Sequence, residues 1–267
     1  MRGHDSSLTR GGWRNFAGVF GKLRPPLRPS PVDVANIGRS ISHDCRRVLL
    51  LGVTPELSVL GPDLTAVDNS PRMLAEVWPG DGEARRAILA DWTDLPFAQG
   101  TFDAVIGDGS LNSAPEAVDE VLTEAKRVLA PGGKAAFRLF CAPEEAETLQ
   151  SIMDDLGAGW PGNVHALKWR IAMVLAAPRP RAIVPVREIL GEFNRMFPDR
   201  TALAARTGWS QDDIATLDAY VGADHSLGFP SLSAFLRDFE RHFRKVRVVR
   251  ASGYPLAERC PTVICSA

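Results

Sequence analysis

Carboxylates and glycines stand at the ends of several apolar runs, where a chain could hold a polar ligand. Asp68 closes the run in LTAVDNSPRML, residues 64–74. A carboxylate at the tip of a buried strand can accept hydrogen bonds from both hydroxyls of a ribose. Asp91-Trp92 opens DWTDLPFAQGTFDAVI, residues 91–106, and that run leads into Gly107-Asp108-Gly109-Ser110-Leu111-Asn112. Two glycines let the backbone come close to a ligand, and Asp108 is the ionisable side chain best placed to orient or deprotonate one. Gly52 follows the apolar run RVLLL, and Thr54-Pro55-Glu56 after it reads as a helix start, with Thr54 as N-cap and Pro55 at the first helical position. Further along, His165 and Trp169 are four apart and share one helix face. His165 is the one histidine considered as a general base. Asn112, Arg138, Trp169 and Arg170 are candidates for contact with a second bound molecule, the two arginines for an anionic one.

The elements needed to position these groups alternate. The run 47–51 is continuously apolar, as in a strand buried on both faces. Further strands are expected at 64–67, 87–90, 102–106 and 134–140, with helices between them. One of these helices, over 117–129, carries Val118, Val121, Leu122, Ala125 and Leu129 on one face. Ser70 and Pro71 read as cap and first residue of another, which carries Met73. Such alternation predicts a parallel sheet with helices on both sides. After residue 140 the rhythm changes. Helices are expected over 143–156, 163–176, 186–197, 201–207, 211–221 and 231–243, with no strand among them until 246–250 and 262–265.

Before the first strand, Trp13, Phe16 and Phe20 form a helical stripe that needs something to cover. It can serve as a docking helix or as a lid. The proline-rich 22–33 reads as an extended connector, and 34–43 as a short helix.

The three stretches 64–74, 91–106 and 127–139 (RVLAPGGKAAFRL), in that order and spacing, resemble the class I S-adenosylmethionine-dependent methyltransferases over about residues 46–140. The resemblance implies an α/β, doubly wound, seven-stranded, mostly parallel sheet of the Rossmann-like methyltransferase fold, closed by an antiparallel strand pair. The interruption after strand five then implies a helical cap insertion. The domains expected are an N-terminal lid segment, 1–45; a cofactor-binding core, 46–156; a helical substrate cap, 157–230; and the last helix and closing strands, 231–267. The resemblance also implies S-adenosyl-L-methionine as cofactor, held by Gly52, Thr54, Asp68, Asn69, Met73, Asp91, Trp92, Asp108 and Gly109. In this family the acid at Asp91 accepts from the adenine amino group, and Met73 and Trp92 are placed to cover the base. Asp108 and His165 are the catalytic candidates. One departure stands out: a run of three glycines is usual after strand one, and this chain keeps only Gly52.

Bulk properties narrow the alternatives. The 267 residues carry a net charge of -1, with 45% hydrophobic and 24% charged residues, so nothing pulls the chain as a whole toward nucleic acid or anionic lipid. No run approaches a membrane span, the first residues lack the apolar core of a secretory signal, and a cytoplasmic location is expected. Cys45, Cys141, Cys260 and Cys265 form no CxxC pair, and the five histidines show no ligand spacing, so no metal site is expected. The expected activity is methyl transfer to the oxygen or nitrogen of a small-molecule acceptor. A methyltransferase-fold scaffold that has lost catalysis is the alternative, and a nicotinamide enzyme is disfavoured because no GxGxxG opens the first helix.

Overall fold

Branched and apolar residues in runs of five to ten build the strands of the main sheet, and the computed structural model describes residues 14–41 and 45–266. Trp13, His4 and His43 lie outside the described residues. The strands are β1 Arg47–Leu51, β2 Asp63–Asp68, β3 Arg85–Leu89, β4 Phe102–Asp108, β5 Leu129–Arg138, β6 Ile183–Pro185, β7 Ser226–Gly228, β8 Lys245–Val249 and β9 Thr262–Ser266. The α-helices are α1 Arg14–Ala17, α2 Pro31–Ser40, α3 Pro71–Glu76, α4 Ser110–Ser113, α5 Val118–Val128, α6 Leu149–Gly157, α7 Val164–Ala176, α8 Val186–Met196, α9 Arg200–Thr207, α10 Gln211–Ala215 and α11 Leu232–His242.

The main sheet has seven strands in the order β3-β2-β1-β4-β5-β9-β8. The first five are parallel, while β9 runs antiparallel to β5 and to β8. Strand order reverses between β1 and β4, which opens a crevice beyond their carboxyl ends. Alternating residues of β1 feed two separate cores. Leu49 and Leu51 pack with α5 and α11, whereas Val48 and Leu50 pack with Ile37 of α2 and Met73 of α3. This is the doubly wound arrangement, with apolar side chains buried on both faces of the central strands.

A third core joins α6, α7, α8, α9 and α10 into a helical layer between β5 and α11. Its members include Ile152 and Leu156, so α6 packs with this layer and not with the sheet, and the helical unit begins earlier than residue 157. The layer also contains strands, contrary to expectation: β6 and β7 form an antiparallel ribbon. Both are three residues long, too short for period-two patterning to reveal. The helix expected over 143–156 begins only at Leu149, because Thr148 forms the capping box with Ser151.

The first described segment ties the layers together. Ser30 caps α2 through a reciprocal pair with Asp33, which moves the helix start to Pro31 rather than 34. The proline-rich stretch before it is not a bare connector, for Leu23 and Leu27 are buried in the helical layer's core. Asn163, the N-cap of α7, donates to the Pro25 carbonyl at 2.9 Å.

Candidate active site

A cavity of about 640 Å³ lies beyond the carboxyl ends of β1, β2 and β4, closed on its far wall by the helical layer. At its floor, β1 ends in Gly52, whose amide donates to the Val67 carbonyl at 2.8 Å. Gly52 has φ +104°, and a Cβ there would meet the Trp92 ring at 3.8 Å. The left-handed turn therefore needs glycine, and it leaves the backbone facing the crevice. Thr54 lines the crevice but does not cap a helix: Pro55–Leu57 is a single 3-10 turn with no side-chain cap. The expectation of a helix N-terminus at this point is corrected. A helix needs several turns before its nucleus is recovered, and here the chain turns away after three residues.

Asp68 ends β2 only 8% exposed, and its Oδ1 accepts from the Ser70 amide at 2.8 Å. Burial pushes its carboxyl up to about 7, partly countered by that amide. A carboxylate so placed needs further donors once ionised, and a ribose supplies two. Ser70 caps α3 and sends Met73 beneath the sheet tip, 8% exposed, where it both lines the crevice and packs in the core with Ile37. Asn69 lines the crevice beside Asp68.

The folded-state pKa of Asp68 lies above the unfolded value near 4, so the folded protein holds an extra proton between about pH 4 and 7. Stability from this group is fully present below that window and is lost as pH rises through it, by up to ~1.4 kcal/mol per pH unit. Ligand-free protein is expected to melt at lower temperature at the upper end of the window, and Asp68→Asn to flatten the profile. Thermal melts across the window check this, and parallel profiles for the two proteins would contradict it.

Asp91 is exposed at the crevice rim, and its Oδ1 accepts from the amide and hydroxyl of Thr93 at 2.9 and 2.8 Å. Trp92 is pinned by its indole N–H to the Val67 carbonyl at 2.7 Å, so its ring forms a fixed wall beside Gly52.

After β4, Gly109 adopts φ +63°, and a Cβ on it would come within 2.5 Å of the Phe140 ring. This sharp turn lets Ser110 reach back to the Leu51 carbonyl at 2.7 Å, which locks the loop across the strand tips. Asn112 lines the crevice, but its side chain is committed. It donates to the Phe140 and Gly228 carbonyls at 2.8 and 2.6 Å and accepts from the Phe140 amide at 3.0 Å. It binds β4 to the helical layer, and its role as a ligand contact is corrected on that ground.

Asp108 faces the same crevice with its side chain 5% exposed. Arg138, fully buried on β5, donates to Asp108 Oδ1 at 2.5 Å and to the Pro26 carbonyl at 2.5 Å, and lies 3.5 Å from Asp33. Burial raises the Asp108 carboxyl, and Arg138 opposes the rise. Tyr254 adds a hydroxyl bond to Asp33 Oδ1 at 3.0 Å. Arg138 therefore does not meet a bound acceptor. It lies behind the crevice wall and joins the sheet, the α2 segment and Asp108 in one ion-paired group.

Two more expectations are corrected on α7. Eleven of its thirteen residues are buried, so a shared helix face does not mean a shared cavity. Trp169 lines the crevice, and His165 does not. Burial holds the His165 imidazole down at about 4, neutral at physiological pH and away from any reacting atom. Arg170 is also outside the crevice, held by Glu147 and Asp155.

The remaining wall was not read from the sequence. Phe140, Tyr220, His225 and Phe229 line the crevice from segments distant in the chain. Phe140 and Trp169 have ring centroids 5.3 Å apart, and Trp169 and Phe229 5.1 Å. Only the burial demand of so many aromatic residues after position 140 hinted at them. Phe16 and Phe20 cover the opposite side, edge to face at 6.0 Å, and Asn15 donates to the Val221 carbonyl of the helical layer at 3.0 Å. Among the described residues no helix is long and apolar enough to cross a membrane.

A family model described as a methyltransferase domain matches residues 52–137. A demethylmenaquinone methyltransferase from Thermus thermophilus is 34% identical over 46% of this chain and 60% of its own length, so the match spans about three-fifths of that relative. Another protein of the same name, from Mycolicibacterium vanbaalenii, is 32% identical over 65% of this chain and 70% of its own length. A crystal structure of a methyltransferase from Methanosarcina mazei has a TM-score of 0.52 at 14% identity, covering 90% of this chain and 98% of that one, and is a likeness of fold. The chain belongs to the class I S-adenosylmethionine-dependent methyltransferase family.

Proposed function

We propose that the chain transfers the methyl group of S-adenosylmethionine to a small, largely apolar acceptor held between the β4 loop and the helical layer. The observation that carries this reading is Asp68: a buried carboxylate at the second strand tip, with one protein donor, opening onto a crevice walled by Trp92 and Gly52. The residues present fit the cofactor. Asp68 would take the ribose hydroxyls, and Met73 and Trp92 would flank the base, with Asp91 at the rim beside its amino group. Gly52 and the Gly109 turn give backbone the room to approach the amino-acid end. When bound, S-adenosylmethionine supplies a methyl carbon on a sulfonium, open to in-line attack.

The protein's share is alignment and exclusion of water. Phe16 and Phe20 shield one side, and Phe140, Trp169 and Phe229 line the other. Arg138 holds Asp108 in one orientation, which suits it to steering charge at the crevice more than to shuttling a proton. The crevice walls would hold an electron pair of the acceptor in line with the methyl carbon, the cofactor's sulfur would be the leaving group, and a protic acceptor's proton would pass to bulk solvent. Relatives named demethylmenaquinone methyltransferases support an acceptor of that ring-shaped kind, and the aromatic wall is compatible with it.

Titration of the folded protein with S-adenosylhomocysteine tests the reading. Saturable binding at one site is expected. No binding at millimolar ligand would reject it in favour of a scaffold that keeps the fold without the cofactor, the alternative suggested by the single glycine after β1.

A further inference from the structure

The wall of the crevice contributed by the helical layer contains an unusual set of donors. Tyr220 and Trp169 are lining residues of the crevice, and Tyr220 Oη and Trp169 Nε1 are buried at its wall without a hydrogen-bond partner. Behind them lies Lys168, 1% exposed, whose Nζ also has no partner. That nitrogen lies 4.6 Å from the Tyr220 ring centroid and 5.3 Å from that of Trp169.

Buried polar atoms in native proteins are almost always paired, so two unpaired donors on rings that both pack against one unpaired Lys168 nitrogen ask for a missing partner. The indole and the ammonium can only donate, and the phenol can donate. What they lack is an acceptor atom, and the ammonium's field favours one that carries negative charge. The surrounding surface is aromatic, with Phe140 and Phe229 against Trp169. This suits a flat apolar body with an oxygen at one end. His165, on the same helix, is within electrostatic reach of Lys168 and is kept neutral by burial, with Asp213 and Arg24 acting on the same imidazole. Tyr220, beside His225 at 6.2 Å between ring centroids, is itself pushed well above the ordinary phenol range by burial. Burial also pulls Lys168 down to about 7, a shift that an incoming anion would reverse.

We propose that Tyr220 Oη and Trp169 Nε1, backed by the Lys168 ammonium, form a binding site for the oxyanion of an aromatic phenol or enol, the methyl acceptor of this crevice. This rests on the methyltransferase reading above and deepens it. An acceptor held as its anion has already lost its proton, and so needs no base from Asp108 or His165.

The test uses para-nitrophenol, whose coloured anion reports its own ionisation, with nitrobenzene as the uncharged control. Both are titrated into the full chain with and without S-adenosylhomocysteine. The wild type is expected to bind para-nitrophenol at least about tenfold more tightly than nitrobenzene and to move its ionisation midpoint to lower pH. Lys168→Met should abolish the shift. Tyr220→Phe should weaken the anion about tenfold and leave nitrobenzene unchanged. Melting curves establish that each variant folds, and Lys168→Met removes a buried amine that has no hydrogen-bond partner, so it is expected to melt no lower than wild type. Equal affinity for the two compounds in the wild type, or a midpoint shift that survives in Lys168→Met, would overturn the proposal. Cofactor binding is read in the same samples. Its failure would reject the methyltransferase reading, while the discrimination between the two compounds, measured without cofactor, still decides the oxyanion site.

Discussion

Asp68→Ala is expected to weaken S-adenosylhomocysteine binding roughly 100-fold, or about 3 kcal/mol, while leaving the melting temperature of the ligand-free protein no lower. The first expectation follows from hydrogen bonds to an ionised acceptor, which contribute about 1.5–3 kcal/mol each, with two ribose hydroxyls available. The second follows from the state of the group without ligand. Asp68 is 8% exposed with a single protein donor on it, so in the ligand-free protein its burial raises its pKa and favours the neutral form. Removing such a group removes a desolvation cost. A residue kept for structure would behave in the opposite way, losing fold stability with little effect on ligand affinity. Calorimetric titration and thermal melts of the two proteins separate these outcomes. An affinity within a few-fold of wild type would take Asp68 away from the ribose. Binding is also expected to strengthen as pH rises through about 7, since the ionised carboxylate is the form that accepts both hydroxyls.

Arg138→Met is expected to cost about 3–5 kcal/mol of stability, the range for removing one partner of a buried ion pair. In a chain of this size that is a fall in melting temperature of about 10 °C. Arg138 is fully buried among Asp108, Asp33 and the Pro26 carbonyl, so its loss leaves two buried carboxylates without their cation. Methionine fills the volume, which leaves the charge as the main change. The pH dependence identifies the cause. Without the guanidinium the Asp108 carboxyl rises further above its unfolded value, and its contribution to stability is then lost as pH increases. The deficit is therefore expected to be smaller at about pH 5 than at about pH 8. Lysine would not restore the wild type, because it lacks the planar fork that serves several acceptors at once. Melts of the two variants at both pH values check this, and a deficit under about 1 kcal/mol at both would show that the ion-paired group contributes little.

The part of the crevice at the tips of β1, β2 and β4 was legible because each of its parts is local. A strand tip, an acid and a capped helix follow one another within ten residues, as in Asp68, Ser70 and Pro71, and the backbone alone carries them to the crevice. The Asp91-Trp92 pair and the Gly109 turn are local in the same sense. The wall given by the helical layer was not legible, because its parts come together through tertiary packing. Trp169, Tyr220 and Phe229 come together because α6 to α10 and the β6–β7 ribbon share one core. Helical period told that His165 and Trp169 share a face, but α7 is buried nearly all round, and one turn separates the crevice from the interior. Arg138 failed as a ligand contact for a related reason. A charged residue in a central strand suggests a site, and its partners Asp33 and Pro26 lie more than a hundred residues earlier, where no spacing rule connects them. The N-cap expected at Thr54 failed because a good start signal does not make a helix when the chain turns away after three residues.

The account depends most on where the nucleoside sits. A crystal structure of the protein with S-adenosylhomocysteine tests this directly. The ribose hydroxyls are expected on the Asp68 carboxylate and the adenine between Met73 and Trp92, with the sulfur directed toward the Gly109 turn. Density for the ligand away from these residues, or a crevice closed by Phe16, Phe20 and Trp92 with no ligand in it, would contradict the account.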